Sequence, residues 1–265
     1  MKKIVFALAL GFFFASSCST VPVTGRKQLS LVSNAEIFPM SFQSYKSVLD
    51  SSKVSTNKDQ VQMVKTVGAK IQKAVEQYMR ERGLSSELKG YAWEFNVIDE
   101  NIVNAWCMPG GKVVFYAGIL PICKDEKGIA VVMGHEVAHA VANHGGERMS
   151  QGIVQQMGFS ALSVALTEKP AETQQLYGTA YGLASNLGAL LPFSRLHESE
   201  ADKMGLIFMA MAGYDPHEAP KFWERMTEAS GGGAPPEFLS THPSHSTRIQ
   251  QLNEAIPEAM KYYKK

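Results

Sequence analysis

Cysteine is scarce in this chain: three residues in 265, too few for the disulfide framework that staples small exported scaffolds. A surplus of one charge is missing too. Lys and Arg number 26 against 25 Asp and Glu, and the balance becomes 24 against 25 once Lys2 and Lys3 are set aside. Phosphate backbones are gripped by clustered surplus cations, so nucleic acid is excluded as a partner. No apolar run approaches the roughly 20 residues that a membrane-spanning helix needs. There is no internal repeat and no composition shift that divides the chain. What remains is 45% hydrophobic and 19% charged residues, the profile of an ordinary globular core.

The first residues read as an address. Met1-Lys2-Lys3 is positive, Ile4 to Phe14 is apolar, and Ala15-Ser16-Ser17 are small. Cys18 follows, and the order resembles a bacterial lipoprotein signal, whose cysteine becomes the lipidated first residue. A plain secretory signal with an incidental cysteine is the alternative. The expected organisation is a signal peptide over 1–17, a lipidated N-terminus and polar tether over 18–33, and one domain over 34–265.

Within that domain, helical spacing runs over 34–53 and 57–82, the second with Val61, Val64, Val67, Ile71 and Val75 on one side and Gly83 as its stop. Alternation over 93–98 predicts a half-buried strand. Residues 102–107, the turn Pro109-Gly110-Gly111 and residues 112–116 predict strand, turn, strand. A helix is expected over 125–144, ending at Gly145. Two small-residue-rich helices, 147–166 and 171–191, form a hairpin too short and too interrupted to span a bilayer. Ser194 is placed as the cap of a helix to Ala212, and Asp215-Pro216-His217-Glu218 as the next helix start. Residues 230–243 are rich in Gly and Pro and read as a loop, and 247–264 as the last helix.

The chemistry lies in His135-Glu136-Val137-Ala138-His139. On a helix the two histidines sit one turn apart on one face, so both imidazoles reach one metal ion. Glu136 is rotated by about 100° from His135, which sets its carboxylate beside a water at that metal. The flanks, Ile129 to Met133 and Val137 to Val141, are apolar all round, which marks a buried helix. Burying two imidazoles and a carboxylate costs several kcal/mol unless each is satisfied, and a metal ion satisfies them.

A third ligand has to come from elsewhere. His144 stands five residues past His139, about 140° off the metal face, and fits a helix C-terminal turn better. Glu198 and Asp202 share one face at i and i+4, where two anions repel unless a cation or histidine faces them. Glu198 as ligand and Asp202 as acceptor for the far nitrogen of a ligating histidine resolve that repulsion. Glu200 points to the opposite side and reads as solvated.

HEVAH followed by ESEAD, with NAWCMPGG before and THPSHSTRI after, resembles the gluzincin metallopeptidases of family forty-eight, which includes CAAX prenyl proteases and HtpX-type membrane proteases. The signal and the segment PVTGRKQL are similar to its secreted bacterial lipoprotein branch. The resemblance implies an α+β fold: a mainly helical zincin-like domain with a small three-stranded sheet and the H-E-x-x-H helix. It implies one zinc ion on His135, His139 and Glu198, with Glu136 as general base and Asp202 behind His135. It also favours the strand from Asn104 and Ala105 onward as the edge that binds substrate, where the residues alone allow an ordinary hairpin equally well.

The expected function is a zinc endopeptidase of the bacterial envelope, held by lipid at Cys18 to the periplasmic face of the outer membrane. It acts on misfolded or unassembled envelope proteins, with assembly machinery as a further partner. The alternatives are a scaffold with structural zinc and a lipid-anchored, chaperone-like assembly factor with little proteolysis. His242, held extended by Pro243 after a run of three glycines, is a candidate either to plug the zinc or to assist catalysis, with His245 as competitor and the resemblance favouring His242. Cys107 and Cys123 are left over, and their spacing does not establish a disulfide.

Overall fold

The computed structural model describes residues 18–186, 191–231, 236–242 and 247–264, with the backbone alone at 191–193. The signal-peptide reading, His245 and most of the glycine run lie outside the described residues. The expected α+β architecture is present, mostly helical with one small three-stranded sheet.

Two short strands, β1 (Cys18–Thr20) and β2 (Lys27–Leu29), pair antiparallel in the segment expected to be a tether. That expectation is corrected here. Val21 is fully buried and Gln28 nearly so, and the amide of Leu31 donates to Ser150 at 2.9 Å. The stretch has no helical period, but it has partners on the domain surface.

Helices α1 (Asn34–Ser51) and α2 (Lys58–Glu81) follow as expected. Asn57 caps α2 by accepting from the amide of Gln60, and Val64, Val67, Ile71 and Val75 are fully buried along one face. The sheet runs β3 (Glu94–Ile98), β5 (Lys112–Tyr116), β4 (Ala105–Met108), with β3 parallel and β4 antiparallel to β5. The turn between β4 and β5 needs its glycines. Gly110 and Gly111 have φ of 88° and 84°, and a Cβ on either would meet Phe42 or Trp93 at 2.5 Å. The strand order places β4 at an edge of this sheet.

After the short helix α3 (Leu120–Cys123), Asp125 caps α4 (Glu126–Val141) by accepting from the amides of Lys127 and Gly128. Every residue of α4 from Gly128 onward is buried, which confirms the reading of its all-round apolar flanks. It ends earlier than expected. Asn143 adopts a left-handed φ of 56°, and His144 opens the next helix, α5 (His144–Ala165). Asparagine is one of the few residues to take this conformation at low cost.

Helix α6 (Ala171–Ser185) completes the hairpin with α5. Beyond the first turns of α5 the hairpin adds nothing to the core: Met157, Val164 and Leu176 are exposed, and α6 has no buried residue. No helix among the described residues is long and apolar enough to cross a membrane.

Helix α7 (Leu191–Met211) starts before Ser194, so Ser194 lies inside it and caps nothing. Helix α8 (Glu218–Ala229) starts at Glu218; Asp215 accepts from the amide of His217 in the turn before it. The Gly- and Pro-rich stretch also contains a helical turn, α9 (Glu237–Thr241), because Phe238 is fully buried and stacks on Trp223. Helix α10 (Arg248–Met260) ends the fold. The main core lies between α2, the sheet, α4 and the C-terminal helices.

Candidate metal centre

The site is built where α4 crosses α7. Gly134 and Gly205 meet there, and Glu198, Asp202 and Gly205 recur along α7 at i, i+4 and i+7, on the face turned to α4. That face brings the second acidic pair against the two histidines of the first motif.

His135, His139, Glu198 and His242 converge, all buried, with one ligand atom of each within 4.8 Å of the others. His135 Nε2 lies 3.1 Å from His139 Nε2 and 3.3 Å from Glu198 Oε2, and His139 Nε2 lies 3.2 Å from Glu198 Oε1. His242 Nδ1 is 3.0 Å from Glu198 Oε2 and 3.1 Å from His135 Nε2. Its Nε2 stands 3.3 Å from Glu136 Oε1.

The outer partners decide which ring nitrogens carry hydrogen. His135 Nδ1 faces Asp202 Oδ1 at 2.9 Å and donates to it, which leaves Nε2 as a lone pair. His144 Nε2 donates to Glu200 Oε2 at 3.0 Å, so His144 Nδ1 is the acceptor toward His139 Nδ1 at 2.8 Å. His139 Nδ1 must then donate, and its Nε2 is also a lone pair. Two lone pairs and the Glu198 carboxylate thus aim at one another in a buried space. That donor set fits a divalent cation with N and O preference, zinc above all.

The electrostatics agree. Burial by itself lowers His135, yet hydrogen bonds with Asp202 and Glu198 outweigh it and push its pKa up to about 9, so that without a metal its Nε2 holds a proton toward Glu198 that a bound cation would displace. Burial likewise works to raise Glu198, but His135 and His139 hold it well below the usual carboxylate range. His139 is driven well below its ordinary value, chiefly by burial. The cluster demands a positive charge at its centre. Burial also pushes the Glu136 carboxyl up, against the pull of His242 and His135. One Glu136 oxygen is buried without a hydrogen-bond donor, and the carboxyl accepts the amide of Cys107 on β4.

Asn104 and Ala105 are not in the cluster. Asn104 Oδ1 accepts the Ala105 amide at 2.9 Å, and its Nδ2 donates to Glu237 on α9 at 3.0 Å. Their link to the site is indirect: Asn104, its amide oriented by Ala105, fastens the short helix that His242 follows. Cys18 lies exposed in β1, remote in sequence from every ligand. Cys107 and Cys123 are thiols without a disulfide.

Three residues escaped the sequence reading. Arg248 is buried, donates to Asp202 Oδ1 at 2.7 Å, lies 3.4 Å from Glu198 Oε2 and stacks 3.5 Å over the Trp223 ring. Its signal was its place in THPSHSTRI. Glu200, read as solvated, is 4% exposed and pairs with Arg26 and His144. His144 is no rival ligand but the partner of one. The far side of α7 is covered by the N-terminal hairpin and the start of α5, which local spacing does not reveal.

Fold and site together define a zincin-like metallopeptidase domain. The model of peptidase family M48 matches residues 66–256, and the chain belongs to that family. It is 42% identical over 175 residues to the mitochondrial metalloendopeptidase OMA1 of Schizosaccharomyces pombe, covering 66% of this chain and 49% of that protein. Against the human protein of that name it is 30% identical over 266 residues, covering 97% of this chain and 49% of the relative. The beta-barrel assembly-enhancing protease of Escherichia coli is 28% identical over 163 residues, 59% of this chain and 33% of that protein. The chain thus spans about half the length, or less, of these relatives.

Proposed function

We propose that this chain is a zinc-dependent endopeptidase in which His135, His139 and Glu198 hold the metal and Glu136 is the general base. The observation that carries the reading is the pair of Nε2 lone pairs facing the Glu198 carboxylate, with the Glu136 carboxyl beside them. Bound zinc supplies Lewis acidity, which polarises a scissile carbonyl and acidifies water. Glu136, raised by burial, takes a proton from the attacking water and returns it to the leaving amine. Asp202 and Arg248 keep the His135 ring in register. His242 contributes a fourth donor in the position that a catalytic site leaves open, so the arrangement is a closed one. A peptide entering along the edge strand β4 requires α9 to move.

The N-terminal sequence supports export and lipid anchoring through Cys18 at a bacterial envelope membrane. The similarity to the beta-barrel assembly-enhancing protease supports unassembled envelope proteins as substrates and assembly machinery as a neighbour. The test of the enzyme reading is metal analysis and casein cleavage on purified protein. Wild type is expected to carry one zinc and cleave. Glu136→Gln is expected to keep zinc and lose at least about 100-fold in rate, and His135→Ala to lose zinc. Casein cleavage by Glu136→Gln at the wild-type rate would overturn it.

A further inference from the structure

A second buried polar cluster lies behind the metal ligands, on the side of His139 away from Glu198. Arg26, in the loop that joins β1 to β2, reaches into it with 17% of its side chain exposed. Its Nε donates to Glu200 Oε2 at 2.8 Å, and its two terminal nitrogens donate to Glu147 Oε1 and Oε2 at 3.0 and 2.7 Å. The Thr24 hydroxyl donates to the other Glu200 oxygen. Glu147 also accepts from His197 Nε2 at 2.8 Å, and the His197 ring stacks on His144 with centroids 4.2 Å apart. Glu200 accepts from His144, and His144 accepts from His139 Nδ1.

These contacts form a directed chain. One guanidinium neutralises two carboxylates that are 2% and 4% exposed, a geometry in which a bidentate fork is hard to replace. The oriented Glu200 fixes the tautomer of His144, and His144 fixes that of His139. We propose that Arg26 is a positioning residue for the metal ligand His139, acting through Glu200 and His144. The hairpin that follows Cys18 is thereby a working part of the metal site. With Arg26 removed, two buried anions are left to compete for the imidazoles of His144 and His197, and the His139 ring loses its fixed acceptor. Outer partners of metal-bound histidines govern metal affinity, whereas a hairpin that merely packs governs stability alone.

This inference rests on the metallopeptidase reading, and the experiment separates the two. Metal release into a chromophoric chelator and the visible spectrum of the Co2+-loaded protein are measured for wild type, Arg26→Ala, His144→Ala, the double variant and Ser150→Ala. Ser150 accepts the Leu31 amide just past β2, so its loss loosens the attachment of the same segment without touching the chain to His139. Arg26→Ala and His144→Ala are each expected to release metal about 10–100-fold faster and to shift the Co2+ spectrum. The double variant is expected to lose no more than the worse single one, because both act through one route. Ser150→Ala is expected to release metal at the wild-type rate. Should Arg26→Ala not fold, Arg26→Lys, which cannot span both carboxylates, reads the same quantities. Release rates and spectra unchanged in the Arg26 variant, or additive losses in the double variant, overturn the proposal. A wild type that binds neither Zn2+ nor Co2+ overturns the metallopeptidase reading instead.

Discussion

Gly134 and Gly205 touch backbone to backbone: a Cβ on Gly134 would lie 2.8 Å from the Gly205 carbonyl oxygen, and one on Gly205 would lie 2.9 Å from the amide nitrogen of His135. This contact sets how closely the helix of HEVAH approaches the helix of ESEAD. It therefore sets whether Glu198 can share a metal with His135 and His139. Gly205→Ala is expected to cost about 1–3 kcal/mol through overpacking and to weaken zinc binding. Calorimetry of the apo protein with a zinc titration checks both. Full zinc affinity in a destabilised variant would separate the crossing from the site.

Arg248 makes a second prediction. Its partner Asp202 has 10% of its side chain exposed, and desolvation alone raises that carboxyl, while Arg248 and His135 bring it below its ordinary value. Arg248→Ala leaves Asp202 with the His135 ring but without its guanidinium, which costs about 1–3 kcal/mol. Arg248→Lys keeps the charge but loses the flat stack on Trp223 and the fork between Asp202 and Glu198, so it is expected to recover stability in part. Chemical denaturation of the three proteins gives the comparison.

The two motifs were legible because helical spacing is local: His135 and His139, or Glu198 and Asp202, share a face whatever surrounds them. The strand–turn–strand of the sheet was legible for the same reason, through Pro109-Gly110-Gly111. Arg26 and Glu200 were not, because 174 residues separate them and nothing in either neighbourhood marks the other. The end of α4 was misread at Gly145, since glycine is the commoner stop, while Asn143 took the left-handed turn. The helix α9 was missed because burial of Phe238 outweighs a composition that favours loop. Tertiary contacts decided the pairing of Arg26 with Glu200 and the helix α9.

Acid stability should depend on Glu147. Burial works to raise its pKa, but hydrogen bonds from His197 and Arg26 prevail and carry it down to about 2. A carboxyl lowered by folding stabilises the native state above its unfolded pKa of about 4.3. That contribution fades as pH falls from there toward 2, and is on the order of 1–3 kcal/mol. Glu147→Gln is expected to make the apo protein less stable at neutral pH and to flatten its loss of stability between those limits. Melting temperatures across the range, without metal, test this; parallel curves for the two proteins would exclude it.

The last prediction concerns His242, and it has a sign. His242 Nδ1 is a member of the ligand cluster, and its ring is held there by α9. That helix is fastened by the buried Phe238, by the amide of Phe238 donating to the Val103 carbonyl at 3.0 Å, and by Asn104 donating to Glu237. If His242 closes the site, its removal frees a metal position for the scissile carbonyl, and His242→Ala raises peptide cleavage with zinc retained. Glu237→Ala, which cuts one fastening of α9 and leaves every ligand in place, is then expected to raise cleavage too, by a smaller factor. If instead the imidazole serves the reaction, His242→Ala lowers kcat with zinc retained, and Glu237→Ala lowers it as well, because the ring is no longer held near Glu136. Initial rates on a fluorogenic peptide, beside the zinc content of each protein, decide between the two. The closed geometry, with the ring 3.0 Å from Glu198 and 3.3 Å from Glu136, favours the rise.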